Sequence, residues 1–245
     1  MMDMLGEKEQ LEQEILSLIS KTGQPVGCGA ISAVLNSRGI SISEATVGRV
    51  LRDFDHSGYT EKAGYQGRIL SARGSDRLTE LANREKSLQW GAEFASALQG
   101  HTKEQLLEVL IARRAIEGEL AALAALNGNG AEKEQLQSTL EKQRSIMENG
   151  GGAAQADVNF HAAIAQMAGN KILAMSIELI RQDTQLSPVL EYIRKHVHSL
   201  VYIDHQNIFQ AIHSGMPDAA KEAMVAHINN LIQDVETYWE RRNNK

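Results

Sequence analysis

The run Ser43-Glu44-Ala45-Thr46-Val47-Gly48-Arg49-Val50-Leu51-Arg52-Asp53-Phe54-Asp55-His56-Ser57-Gly58 reads as one complete helix with both of its ends marked. Ser43 is a good N-cap, with Thr46 at the third helical position. Val47, Val50, Leu51 and Phe54 recur three and four residues apart and form a single apolar stripe. Gly58 stands where a left-handed C′ residue closes a helix. Thr46, Arg49 and Arg52 fall off the stripe, on the face that a reading helix would turn toward base edges and phosphates. The alternative for that face is simple solvation, and Asp53 and Asp55 keep it open.

Working outward, Glu7 to Lys21 carries Leu11, Ile15, Leu18 and Ile19 at helical spacing and stops at Thr22-Gly23-Gln24-Pro25. Gly29 to Ser37 makes a second short helix, with Ile31, Val34 and Leu35 on one side and a turn at Arg38-Gly39-Ile40. After Gly58 come two short β-prone runs, Tyr59 to Lys62 and Arg68 to Ser71, separated by Gly64-Tyr65-Gln66-Gly67. That pattern reads as a hairpin. Three helices and a hairpin are the order of a winged helix-turn-helix, so residues 1–74 are expected to bind double-stranded DNA. Ser43, Thr46, Arg49 and Arg52 would contact it from the third helix. Lys62, Gln66 and Arg68 would contact it from the wing.

The rest of the chain shows no β pattern. Residues 75–101, with Leu78, Leu81, Leu88, Trp90 and Phe94, read as a linker helix, and residues 102–245 as an all-α antiparallel bundle of six or seven helices. Their stops are Asn127-Gly128-Asn129-Gly130, Asn149-Gly150-Gly151-Gly152, Ala168-Gly169-Asn170 and Ser214-Gly215-Met216-Pro217, with a further turn expected to begin at Pro188. The fold class is mostly α.

At 245 residues, 42% hydrophobic and 23% charged, the composition is that of a globular two-domain chain. No apolar run reaches membrane-spanning length, the start carries no signal-peptide pattern, and Cys28 stands alone, so a soluble cytoplasmic protein is expected. The net charge of −6 does not exclude DNA. Between Val26 and Gly74, Arg38, Arg49, Arg52, Lys62, Arg68 and Arg73 outnumber Glu44, Asp53, Asp55 and Glu61 by two.

Four residues of the C-terminal half carry chemistry. Asp157 and His161 are four apart, one helical turn on a shared face, and His205 and His227 each lie eleven residues from Met216. If the segments flanking that turn are antiparallel helices, the two imidazoles sit at equal height. An Asp-x-x-x-His pair alone is more often an internal hydrogen bond. With two further histidines it becomes a set for a divalent ion, Zn²⁺ first and Ni²⁺, Co²⁺ or Mn²⁺ as alternatives. His56, His101, His196, His198 and His213 have no such partners and read as surface or helix-end residues.

The pieces Arg113-Arg114-Ala115-Ile116-Glu117, Asp157-x-x-Phe160-His161, Ala168-Gly169-Asn170, Asp204-His205-x-x-Ile208-x-x-Ala211-Ile212 and Met224-x-x-His227 resemble, in order and spacing, the FCD effector domain of FadR-type GntR transcription regulators. The resemblance covers roughly residues 102–238. It implies that Asp157, His161, His205 and His227 bind the metal, and that Arg113 clamps a small organic acid effector. The head departs from that family: Gly48 stands where a base-contacting arginine would fall, and Gly23 to Ser41 looks more like archaeal nitrogen-regulation repressors. The expected protein is thus a homodimeric DNA-binding regulator and not an enzyme. Alternatives are a metal-dependent hydrolase, for which Asp204 is the one spare base near the ligands, a direct metal sensor, and a purely structural dimerisation domain.

Overall fold

The computed structural model describes residues 5–99, 102–181, 186–197 and 201–243. The expected linker limit at His101 lies outside them, as does His198. The chain divides into two compact units, Met1–Glu93 and Phe94–Lys245.

The first unit is built from α1 (Glu7–Thr22), α2 (Cys28–Ser37), α3 (Glu44–Ser57), the strands β1 (Thr60–Lys62) and β2 (Arg68–Leu70), and the beginning of α4 (Ala72–Leu98). The capping signals act as the sequence reading expected. Ser43 Oγ accepts from the Thr46 amide at 3.1 Å, and Gly58 closes α3 at φ 72°. Ile15, Leu16, Ile31, Leu35, Val47, Leu51 and Phe54 form the core, and Leu81 of α4 joins it.

The hairpin is antiparallel, Thr60 opposite Leu70 and Lys62 opposite Arg68, and Val26 adds a bridge to Arg68 through amide–carbonyl bonds of 2.9 and 3.0 Å. The first part of α4 is tied to α1: Arg77 Nε lies 2.9 Å from Glu12 Oε1, and Arg84 Nη1 lies 2.5 Å from Glu9 Oε1. The expected boundary at residue 74 thus falls inside a helix whose first half packs on the head.

Among the described residues the second unit holds the end of α4 and seven further helices. These are α5 (Lys103–Asn127), α6 (Gly130–Glu148), α7 (Ala154–Met167), α8 (Lys171–Arg181), α9 (Leu186–Val197), α10 (Val201–His213) and α11 (Pro217–Asn243). Pro188 sits within the first turn of α9 instead of opening a new one, a position where its missing amide breaks no helical bond. Capping boxes start α5 (Thr102 with Gln105) and α6 (Asn129 with Glu132). The alanine-rich α5 lets α11 approach closely, and at Gly118 an added Cβ would come 3.1 Å from Val225. Leu110, Leu120, Phe160, Ile164, Ile208, Met224 and Ile228 fill the centre.

Two glycines of α4 separate sterics from helix propensity. A Cβ at Gly74 would be driven into the Tyr59 carbonyl oxygen, whereas one at Gly91 meets nothing within 4 Å. Gly91→Ala is expected to stabilise the head by about 0.5–1 kcal/mol through propensity. Gly74→Ala should instead destabilise it by roughly 1–3 kcal/mol, because the clash outweighs that gain. Denaturant unfolding of the two variants checks the opposite signs.

Candidate metal and effector centre

Asp157 and His161 project from α7, His205 from α10 and His227 from α11. The turn between the last two helices sets their register. The Gly215 amide donates to Ile212 O at 3.1 Å and the Met216 amide to Ala211 O at 3.0 Å, Gly215 takes φ 66°, and Pro217 begins α11. The rings of His205 and His227 therefore face one another, with centroids 4.7 Å apart. His161 stands 5.2 and 5.3 Å from them. One ligand atom from each of the four residues lies within 4.8 Å of the others.

The donor set fits a divalent ion. All three Nε2 atoms are buried and none has a hydrogen-bond partner. Asp157 Oδ1 lies 3.5 Å from His205 Nε2 and 3.8 Å from His161 Nε2. Two ligands held at ~2.1 Å around a tetrahedral ion stand ~3.4 Å apart. The second nitrogens are all occupied: His205 Nδ1 faces Gln143 Oε1 at 2.8 Å, His227 Nδ1 faces Asp204 Oδ2 at 3.3 Å, and His161 Nδ1 abuts Glu117 Oε2. Acceptors on Nδ1 fix the tautomer that leaves the Nε2 lone pair free, which is how histidine ligands are normally oriented. Phe160 stacks on His205 at 4.4 Å and 15° and holds its plane.

Burial also keeps the imidazoles neutral. It lowers the His161 pKa against the opposing pull of Glu117, holds that of His205 well below the usual value, and takes that of His227 to about 4. Burial alone would push the Asp157 and Glu117 carboxyls up. For Asp157 this is outweighed by the permanent charges of Arg181 and Arg194, and for Glu117 by those of Arg113 and Arg181 with a hydrogen bond from His161, so both stay ionised.

Glu117 is the hub of this region. Its Oε1 lies 2.5 Å from Arg113 Nε, and its Oε2 meets His161 and lies 3.5 Å from Arg181 Nη1. Arg181 Nη2 also donates to Asp157 Oδ2 at 2.9 Å, and Arg194 Nη1 stands 3.9 Å from Asp157 Oδ1. Arg113 is thus buried, with Nη2 unpartnered, whereas its half-buried neighbour Arg114 donates to Asn229 Oδ1 at 2.8 Å. Beside Asp157 opens a cavity of about 410 Å³, whose walls include Arg113, Gln143, Arg194, Met147, Leu190 and Leu231. Glu191, at its edge, accepts from the Ala153 and Ala154 amides at 3.1 and 2.9 Å and caps α7 from outside the helix.

Sequence reasoning did not reach Gln143, Arg181 or Arg194. Arg181 and Arg194 sit near helix ends, where a cation is unremarkable. Gln143 carried a usable signal, because it shares a face with Leu136 and Leu140 and so stood as a lone polar group on a core stripe.

In the head, Arg49, Arg52, Lys62 and Gln66 are exposed. Ser43 and Thr46 are engaged in the α3 cap, with hydroxyls 2.9 Å apart. Arg68 is tied to Asp55 by Nε–Oδ1 and Nη2–Oδ2 contacts of 2.9 Å each, so this wing residue braces the hairpin against α3. Asp204 is committed to His227 and Asn230. Among the described residues no helix is long and apolar enough to cross a membrane.

Residues 108–230, half of the chain, match the FCD domain family, and residues 13–78 match the Ribonuclease R winged-helix domain family. The chain is 29% identical over 168 residues to the putative L-lactate dehydrogenase operon regulatory protein of Escherichia coli, a match covering 67% of this chain and 64% of that protein. It is 28% identical over 143 residues to the transcriptional regulator LutR of Bacillus subtilis, covering 56% and 65%. The chain thus spans just under two thirds of the length of these curated relatives. A stretch of 86 residues is 37% identical to the global nitrogen regulator NrpR of Methanocaldococcus jannaschii, covering 35% of this chain and 15% of that protein. Among solved structures, Streptococcus agalactiae GntR aligns at a TM-score of 0.47 and 19% identity, over 92% of this chain and 98% of that one. A winged-helix head, an FCD body and regulator relatives agree: the chain belongs to the FCD-domain regulators of the GntR type, a family of transcription regulators and not of enzymes.

Proposed function

We propose that this regulator binds operator DNA as a homodimer, and that its helical unit holds a divalent ion, Zn²⁺ first, together with a small carboxylate effector. The observation that carries the reading is the convergence of three buried, unpartnered Nε2 atoms on the Asp157 carboxylate. Leaving these groups without a cation would cost several kcal/mol of desolvation. The ion, when bound, would supply an electrophilic anchor for a carboxylate at the edge of the cavity. Three guanidinium groups, Arg113, Arg181 and Arg194, gather about Asp157 and Glu117, with Asp204 and Asp234 also within electrostatic reach of Arg194. A carboxylate entering the cavity would meet Arg113 and Arg194 in its wall. L-lactate is the first acid to try, from the operon named for the Escherichia coli relative.

Closure of α7, α10 and α11 around ion and acid would have to change operator affinity by a coupling free energy of only about 1–3 kcal/mol to regulate. A symmetric operator calls for two heads, which is the reason to expect a dimer. Arg49 and Arg52 would read the major groove, with Ser43 and Thr46 fixing the start of the reading helix. Lys62 and Gln66 would meet phosphate or the minor groove, with Arg68 bracing the wing.

Elemental analysis of the purified protein is expected to give one divalent ion per chain. His205→Ala should lower its affinity by more than about 100-fold, beyond what losing an outer hydrogen-bond partner does. Metal-free wild type behaving like the variant in every titration would dispose of the reading.

For protein stripped by a chelator, the sign of the pH dependence follows from the lowered imidazole pKa values. The unfolded chain takes up protons on His161, His205 and His227 near pH 6.5 and the folded chain does not. Stability therefore rises with pH through that window and is lost as pH falls from about 6.5 toward 4. Thermal unfolding across this range checks it, and a flat profile contradicts neutral burial of the three rings.

For the head, Arg49→Ala should cost about 1–3 kcal/mol on a duplex selected from random sequences and relax preference at one position. Lys62→Ala should weaken all duplexes alike and reduce the salt slope by about one. Fluorescence anisotropy over a salt series distinguishes the two behaviours.

A further inference from the structure

Gln143 of α6 is fully buried, and its two ends have different fates. The amide oxygen lies 2.8 Å from His205 Nδ1, while Nε2 has no hydrogen-bond partner. Its side chain lines the cavity of about 410 Å³ beside Asp157, as does Arg113, whose buried Nη2 is equally without a partner. A buried donor left unmade costs the full desolvation of that group. Two orphan donors on one cavity therefore point to an acceptor that enters it.

The tautomer of His205 decides which end of the amide turns where. For Nε2 of His205 to offer a lone pair to an ion, Nδ1 must carry the proton, and its partner must then be an acceptor. Gln143 can accept only through its oxygen, so its NH₂ group is left facing the cavity. The opposite amide orientation would put a proton on His205 Nε2 and exclude an ion. Ion binding and the aim of the Gln143 donor are thus one choice, made together.

We propose that Gln143 is a positioning residue with two faces, its oxygen orienting His205 for the ion and its NH₂ group binding the carboxylate effector alongside Arg113. The proposal rests on the metal-and-carboxylate reading above and deepens it. It also defines the ligand: an anion with acceptor oxygens toward Arg113 and Gln143, and an apolar or absent substituent toward Met147, Leu190 and Leu231, which form an apolar part of the wall. Effector binding should follow ion loading, because the ion fixes the donor in place.

Two variants of the full-length protein separate the faces, with Co²⁺ as the ion and acetate as the probe. Co²⁺ absorption reports ion binding directly and acetate binding as a change in the visible bands. Gln143→Glu keeps an acceptor for His205 but removes the donor, so Co²⁺ affinity should match or exceed wild type while acetate affinity falls at least about tenfold. Gln143→Leu removes both faces, so Co²⁺ affinity should itself fall about 10- to 100-fold. Far-ultraviolet circular dichroism identifies a variant that has failed to fold, and the other variant then carries the test.

Loss of Co²⁺ by folded Gln143→Glu, or retention of wild-type Co²⁺ affinity by Gln143→Leu, overturns the orienting role. Unchanged acetate affinity in Gln143→Glu overturns the donor role and leaves the metal reading intact. Wild-type protein that binds Co²⁺ but never responds to acetate overturns this inference together with the carboxylate effector. Wild-type protein that does not bind Co²⁺ overturns all three.

Discussion

The constraint on which the second unit turns is the burial of three imidazoles with their Nδ1 atoms already taken. Glu117, Gln143 and Asp204 each hold one ring from behind, and the opposite nitrogens meet beside the Asp157 carboxylate. An apolar core could have been built at the same place for less. Three desolvated nitrogens beside an ionised carboxylate are costly to bury, and that cost is what the proposed ion would offset. The surrounding arginines tie the centre together: Arg113 and Arg181 meet Glu117, and Arg181 and Arg194 meet Asp157.

The scaffold delivers this arrangement through helix ends more than through helix middles. The Ser214–Pro217 turn places His205 and His227 at one level. Glu191 reaches from α9 to cap the start of α7, the helix that carries Asp157 and His161. Movement of α9 would therefore be felt at α7 directly through Glu191, and at Asp157 through Arg194. Close approach of α5 and α11 at Gly118 and Val225 keeps Glu117 and His227 on neighbouring walls.

The head solves a different problem with its own core. Leu51, Phe54 and Leu81 have no part in the bundle, and the hairpin is locked from both sides, by the Val26–Arg68 bridge and by the Asp55–Arg68 ion pair. Two separate cores explain how one chain can match one family model over its head and another over its body.

The amino-acid sequence alone determined the element order, the two-part organisation and the convergence of Asp157, His161, His205 and His227. Those features are written in local terms: period, caps, the i,i+4 spacing of Asp157 and His161, and equal offsets about Met216. Tertiary structure alone decided the remainder. Nothing local marks Glu117 as the hub, Arg181 and Arg194 as partners of Asp157, or Arg68 as a brace. Gln143 showed itself only as a polar residue on an apolar stripe, with its partner 62 positions away. Such pairings form across helix interfaces, where contact depends on how helices cross and on which side chains share a desolvated space. Periodicity along a chain carries no record of that.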